Sequence, residues 1–173
     1  MISSNISLTS LHLVDSGLDC DTLLEVCKGV KDSMSLEYLN LKHNIFDDKG
    51  LAGLIPALQE NMSIKHLYLE SMPISFNEAK RLANFFEQSD CMIEELELNE
   101  ADIEMESLDV IMNALYKADY LRRLSLSKNM LTNNICQNLS VLPQKLHKFE
   151  SLCLSHCEIG EDALKSLCAG FGG

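Results

Sequence analysis

Leu36-Glu37-Tyr38-Leu39-Asn40-Leu41-Lys42-His43-Asn44 has the form L-x-x-L-x-L-x-x-N, and versions of it recur toward both ends of the chain. Aligning the first apolar position of each copy gives Leu8, Leu36, Ile64, Ile93, Leu121 and Phe149, spaced by 28 or 29 residues. The L-x-L pair follows every time: Leu11/Leu13, Leu39/Leu41, Leu67/Leu69, Leu96/Leu98, Leu124/Leu126 and Leu152/Leu154. A fixed period of this length is the signature of a stacked repeat architecture.

Each copy contains two hydrophobic periods. Within L-x-L the period is two, so the leucines point to one side of a short strand and the intervening residues to the other. Beyond it, Leu51, Leu54, Ile55 and Leu58 fall at helical spacing. Ala79, Leu82, Ala83 and Phe86 repeat the helical pattern, as do Leu108, Ile111, Met112 and Leu115. One strand plus one helix cannot bury its apolar face alone, whereas stacked units share a continuous core. Asp47 or Asp48 is the expected N-cap of the second helix. Pro56 predicts a kink or a late start in that helix. The segment 132–148, with Asn133-Asn134 and Pro143, predicts an imperfect one.

These motifs resemble the leucine-rich repeat proteins, in particular the ribonuclease-inhibitor-like subclass, over residues 6–171. The resemblance implies an α/β solenoid of about six repeats, a horseshoe with a parallel sheet on its concave face and α-helices on its convex face. It further implies a non-enzymatic module that binds another protein through the concave sheet. Asn44, Asn129 and Cys157 stand where the subclass turns an Asn or Cys inward to bond the backbone of adjacent turns. Ser16, Met72 and Ala101 stand there in the other copies, so this ladder should be incomplete around the third and fourth repeats. The family alone leaves two further readings open: a regulator acting in trans on a GTPase or other enzyme, and an actin- or cilium-associated scaffold.

In a parallel solenoid sheet, equivalent positions of successive repeats are lateral neighbours. The position after the first apolar residue reads Thr9, Glu37, Lys65, Glu94, Arg122, Glu150, an expected internal ion ladder. The next columns read Ser10, Tyr38, His66, Glu95, Arg123, Ser151 and then His12, Asn40, Tyr68, Glu97, Ser125, Cys153. Lys42 should pair with Glu70, and Glu100 with Lys128, while Glu97 lies in a column without a basic residue. Exposed aromatic groups on a rigid sheet make interface anchors. The expected partner-binding residues are therefore Tyr38, Asn40, His66, Tyr68, Glu95, Glu97 and Arg123, with alanine at Tyr38 or Tyr68 expected to leave stability nearly unchanged.

Charge and composition narrow the partners. The net charge is −12 and no long basic run occurs, which disfavours nucleic acid and anionic membrane surfaces. No apolar run approaches the ~20 residues needed to span a bilayer. Seven cysteines, with no C-x-x-C pair, fit buried thiols in the reducing cytoplasm. Sequons at Asn5, Asn61 and Asn138 are then expected to be chance matches.

No catalytic, metal or cofactor motif is found. Cys153-x-x-His156-Cys157 suggests zinc, but alternate residues should face opposite sides of the strand and turn. His43 and His156 share a column on strands that lie on the order of 19 Å apart. Cys153 is a candidate exposed thiol without an evident basic neighbour. The chain is expected to form one repeat domain over 1–173. Its uncapped ends predict either a piece of a longer protein or self-association end to end.

Overall fold

The computed structural model describes residues 7–44, 46 and 48–171, and for Asp48 and Lys49 the backbone alone. Among these residues six strands alternate with six helices. In chain order they are β1 (Ser10–His12), α1 (Cys20–Lys31), β2 (Tyr38–Asn40), α2 (Asp48–Glu60), β3 (His66–Tyr68) and α3 (Phe76–Phe86). There follow β4 (Glu95–Glu97), α4 (Met105–Leu115), β5 (Arg123–Ser125), α5 (Asn133–Lys145), β6 (Ser151–Cys153) and α6 (Glu161–Phe171). The strands form one parallel sheet in sequence order. Its register joins Tyr38 to His66, His66 to Glu95, Glu95 to Arg123 and Arg123 to Ser151, as the repeat columns predict.

The two periods place the core between sheet and helices. Leu39, Leu67 and Leu96 are fully buried beneath the sheet. Leu51, Leu54, Ile55 and Leu58 meet them from α2, and Leu108, Ile111, Met112 and Leu115 from α4. Helix starts are set by short polar caps. Asp19 accepts from the Thr22 amide at 2.8 Å while its own amide donates to Thr22 Oγ1 at 3.0 Å. The Ser75 amide donates to Glu78 Oε2 at 3.0 Å. Of the two expected caps, Asp47 lies outside the described residues, and Asp48 is the first residue of α2.

Two expectations about proline need correction. Helix α2 runs on both sides of Pro56, which therefore does not mark a late start. Helix α5 is a full 13-residue helix rather than an imperfect one. Thr132 caps it, and Ile135, Cys136, Leu139 and Leu142 bury one face. Pro143 lies on the exposed side in the last turn, so its ring displaces nothing in the core.

The inward ladder forms where the side chains allow it. Asn44 Nδ2 donates to the carbonyls of Leu13 at 2.6 Å and Leu41 at 2.9 Å, and its Oδ1 accepts from Ser16 N at 3.2 Å. Asn129 repeats this with Leu98 at 2.7 Å and Leu126 at 2.9 Å. Cys157 Sγ reaches the Leu126 carbonyl at 3.2 Å. Met72 and Ala101 are buried without such bonds, filling volume instead.

Sequence reading missed a second asparagine tie on the helix-to-strand side. Asn61 Nδ2 donates to the carbonyls of Val30 at 2.7 Å and Ser33 at 2.8 Å, and its Oδ1 accepts from the amides of Ser63 and Ile64, both at 2.8 Å. The nitrogen a glycan would need is consumed, so this sequon is silent in the folded chain. The helices also approach more closely in pairs: α1 with α2, α3 with α4 and α5 with α6. A Cβ on Gly53 would meet Leu24 Cδ2 at 2.3 Å, and one on Gly170 would meet the Ser140 carbonyl at 2.1 Å. Glycine at these positions permits the close α1–α2 and α5–α6 contacts. No described helix is long and apolar enough to cross a membrane.

Candidate functional site

The concave face takes its character from the residues between the leucines. Tyr38, half-buried on β2, has its ring centroid 4.7 Å from His12 on β1, 4.7 Å from Tyr68 and 5.7 Å from His66 on β3. Tilted ring pairs at these separations are mutually attractive, adding about 1 kcal/mol each beyond area burial. Tyr68 is only 7% exposed, which corrects the expectation of a solvated anchor. The neighbouring rings cover it, and Lys42 Nζ lies 5.2 Å from its centroid. Asn40 is likewise buried, with its side-chain oxygen turned back onto the Lys42 amide at 3.1 Å. These two residues belong to the support of the face rather than to its outer surface.

Glu95 is the electrostatic hub. Its Oε2 accepts from the Tyr68 hydroxyl at 2.5 Å, and its Oε1 accepts from Arg123 Nη1 at 2.5 Å. His66 Nδ1 lies 3.0 Å from Oε2 but is not aligned as a hydrogen bond. Burial works to raise the Glu95 pKa, yet the Tyr68 hydroxyl, His66 and Arg123 together hold it below the ordinary value. The Tyr68 hydroxyl is correspondingly pushed up, first by burial and then by the adjacent Glu95 carboxylate.

The strand columns also misassigned one charge. Glu97 does have a basic partner: Lys42 reaches across two strands and contacts both Glu97 and, at 3.0 Å, Glu70. A lysine side chain spans diagonals that a count of lateral neighbours omits. Burial lowers the Lys42 pKa, but the two carboxylates outweigh it and the net shift is upward. The outer ion ladder is discontinuous. Lys65 pairs with Glu37 at 3.0 Å, and Arg122 with Glu150 at 2.6 Å and Glu94 at 3.8 Å. Among the described residues no ion pair joins Lys65 to Glu94.

A hollow of about 350 Å³ opens beside the hub, lined by Tyr68, Glu95, Glu97, Arg123, Ser125 and Cys153. Cys153 is exposed, and its Sγ lies 3.2 Å from Ser127 Oγ and 3.4 Å from Ser155 Oγ. Hydrogen bonds from Ser127 and then Ser155 bring its pKa down to about 7. Hydroxyl donors thus supply what the sequence sought in a basic residue. Cys157 turns into the core while Cys153 faces out, so the two do not converge on one ion. Among the described residues no group of three or more His, Cys, Asp or Glu is placed to hold a metal.

Six strand–helix units in one parallel sheet, with inward asparagines at the turn, fit one repeat family. A family model described as Leucine Rich repeat matches residues 32–54 and 145–168. The chain carries leucine-rich repeats. Among curated relatives, this leucine-rich repeat chain is 27% identical over 199 residues to mouse NACHT, LRR and PYD domains-containing protein 5, spanning 97% of itself and 17% of that protein. It is 26% identical over 171 residues to pig ribonuclease inhibitor, spanning 98% of itself and 38% of the relative. It thus resembles the repeat regions of those proteins, and such domains are generally protein-binding modules of a non-catalytic family. Among solved structures, a Bacteroides fragilis protein superimposes with a TM-score of 0.60 at 17% identity, covering 91% of this chain and 44% of that one. The leiomodin-1 actin-binding site 2 superimposes at 0.53 with 13% identity, covering 98% and 85%. These structural likenesses show the shared repeat fold.

Of the seven residues singled out from sequence, the fold brings Tyr38, His66, Tyr68, Glu95 and Arg123 into one connected cluster. Glu97 joins it through Lys42, and Asn40 through the turn. Sequence reading missed His12, Lys42 and the serines around Cys153. The columns held His12 and the serines, but no simple pattern marks a side chain that acts on a diagonal.

Proposed function

We propose that residues 1–173 act as one leucine-rich repeat domain that captures a partner protein on its concave face, with Tyr38 and Arg123 as the contact residues. The observation that carries this reading is the half-buried Tyr38 ring, fixed on three sides by His12, His66 and Tyr68. A pre-ordered aromatic ring loses little conformational entropy on binding. Beneath it, Tyr68, Glu95, Lys42 and Glu97 form a network that holds the ring and Arg123 in place. Arg123, 61% exposed at its side chain, remains able to reach a partner carboxylate. The hollow between Tyr68 and Cys153 fits one inserted side chain of the partner.

The test is capture from extract of the native organism with wild type, Tyr38→Ala and Arg123→Ala proteins, each checked for folding by circular dichroism. A discrete partner held by wild type and lost by both variants supports the reading. Equal retention by all three contradicts it.

A further inference from the structure

We propose that the edge where strands lead into helices, across the third to fifth repeats, docks a Lys/Arg-rich segment of another protein that also carries bulky apolar side chains. This surface shares no lining residue with the concave hollow. Three large apolar side chains stand on it unburied, on successive repeats: Phe76 is 36% exposed, Met105 54% and Met130 88%. Two hollows open beside them. One of about 470 Å³ is walled by Ile103, Met105 and Met130, the other of about 240 Å³ by Ile74 and Phe76. Asp102 and Glu104 line both, so the two hollows adjoin across these carboxylates, and the pair is termed the groove.

The charge of the groove selects the occupant. Asp102, Glu104 and Glu106 are exposed, and among the described residues none is in an ion pair. The two nearby cations are engaged: Lys128 binds Glu100 at 2.8 Å, and Lys80 lies 4.2 Å from the centroid of the Phe76 ring. Glu104 and Glu106 stand at the N-terminus of α4, where the helix dipole favours negative charge. That role does not extend to Asp102, which is held at a φ of 43°, or to the exposed methionines.

The opposite edge of the solenoid provides a contrast within the same molecule. Met34 and Met62 are 87% and 60% exposed beside a hollow of about 290 Å³, yet Glu60 there is paired with Lys31 at 2.7 Å. Exposed methionine occurs on both edges, but the hollow beside Met34 and Met62 has the single unpaired carboxylate of Asp32, next to Lys31, whereas Asp102, Glu104 and Glu106 place three within five residues. Flexible thioethers adapt to varied apolar anchors, and the acidic rim attracts Lys and Arg while repelling acidic segments.

The probe is a synthetic amphipathic peptide of Lys and Leu, with its Glu/Leu counterpart as control, titrated into protein labelled at the methionine methyls with carbon-13. The Lys/Leu peptide is expected to shift the Met105 and Met130 signals saturably, with Met34 and Met62 little affected. The Glu/Leu peptide should shift neither pair. The Asp102→Asn/Glu104→Gln/Glu106→Gln variant should bind the Lys/Leu peptide about tenfold more weakly, and Tyr38→Ala should bind it unchanged. Equal shifts at all four methionines, shifts with the Glu/Leu peptide, or undiminished binding by the folded triple variant would each overturn the proposal. Loss through Tyr38→Ala would move the peptide to the concave face and overturn it as well.

Discussion

The Tyr68 hydroxyl on β3 donates to Glu95 on β4 at 2.5 Å, tying two adjacent repeats across the concave face. The phenol is buried, so removing only its oxygen leaves a carboxylate short of one donor. Tyr68→Phe is expected to cost about 1–2 kcal/mol. Tyr68→Ala also removes the packed ring and should cost about 3–5 kcal/mol. Urea unfolding of both variants checks the order, and a Tyr68→Ala protein as stable as wild type would show the ring to be superficial.

The same carboxylate sets an acid limb. Its folded pKa lies below the ordinary 4.5, so the stability it contributes is present above that value and is lost as pH falls through the folded one. Glu95→Gln cannot titrate. Its unfolding midpoint should therefore fall less steeply than that of wild type as the pH drops below 4.5. Parallel slopes would show that Glu95 takes no part.

Lys42 sits between Glu70 and Glu97 with 21% of its side chain exposed. Lys42→Met keeps much of the stem but leaves two carboxylates facing each other, at a cost of about 2 kcal/mol. Replacing both Glu70 and Glu97 by Gln in the Lys42→Met background should recover most of that loss. A double-mutant cycle with no coupling would dissolve the triad.

Cys153 offers a chemical readout. With its pKa near 7, the rate of alkylation by iodoacetamide should reach half its maximum near that pH, whereas Cys27 and Cys91, pushed by burial to about 11, should stay protected. Ser127→Ala should move the Cys153 midpoint upward. A midpoint at the ordinary thiol value of 9.0 in the wild type would show that the serines do not stabilise the thiolate.

Each strand leaves through a left-handed residue: Asp15, His43, Ser71, Glu100, Lys128 and His156 have φ between 47° and 59°. None is glycine. In the first five the amide bonds to the next repeat, as when the His43 amide donates to the Glu70 carbonyl at 2.9 Å, and His156, after the last strand, keeps the same conformation. His43→Gly is expected to be neutral or stabilising by up to about 1 kcal/mol, and His43→Ile destabilising by about 1–2 kcal/mol. Thermal unfolding distinguishes the two signs.

Much of this architecture was legible from two periods. The leucine spacing gave the sheet order, the register and the buried faces because each depends on one residue's position within its own repeat. Met72 and Ala101 likewise announced where the asparagine ladder stops. What escaped depends on relations that no single position carries. Lys42 acts across a diagonal, Tyr68 is buried by side chains from other strands, and the turn column reads as ordinary polar residues. Gly53 and Gly170 gain meaning only once the helices lie in pairs. Helix α5 looked broken because Asn133, Asn134 and Pro143 are poor helix formers, yet its buried face and Thr132 cap prevail.

The central claim, that the concave face is the binding face, is most directly tested by a photo-crosslinking amino acid placed at Tyr38 and, separately, at the exposed Arg81 of α3 on the convex side. Irradiation in native extract is expected to join one discrete protein to position 38 and none to position 81. The same adducts at both positions, or adducts at position 81 alone, would contradict the account.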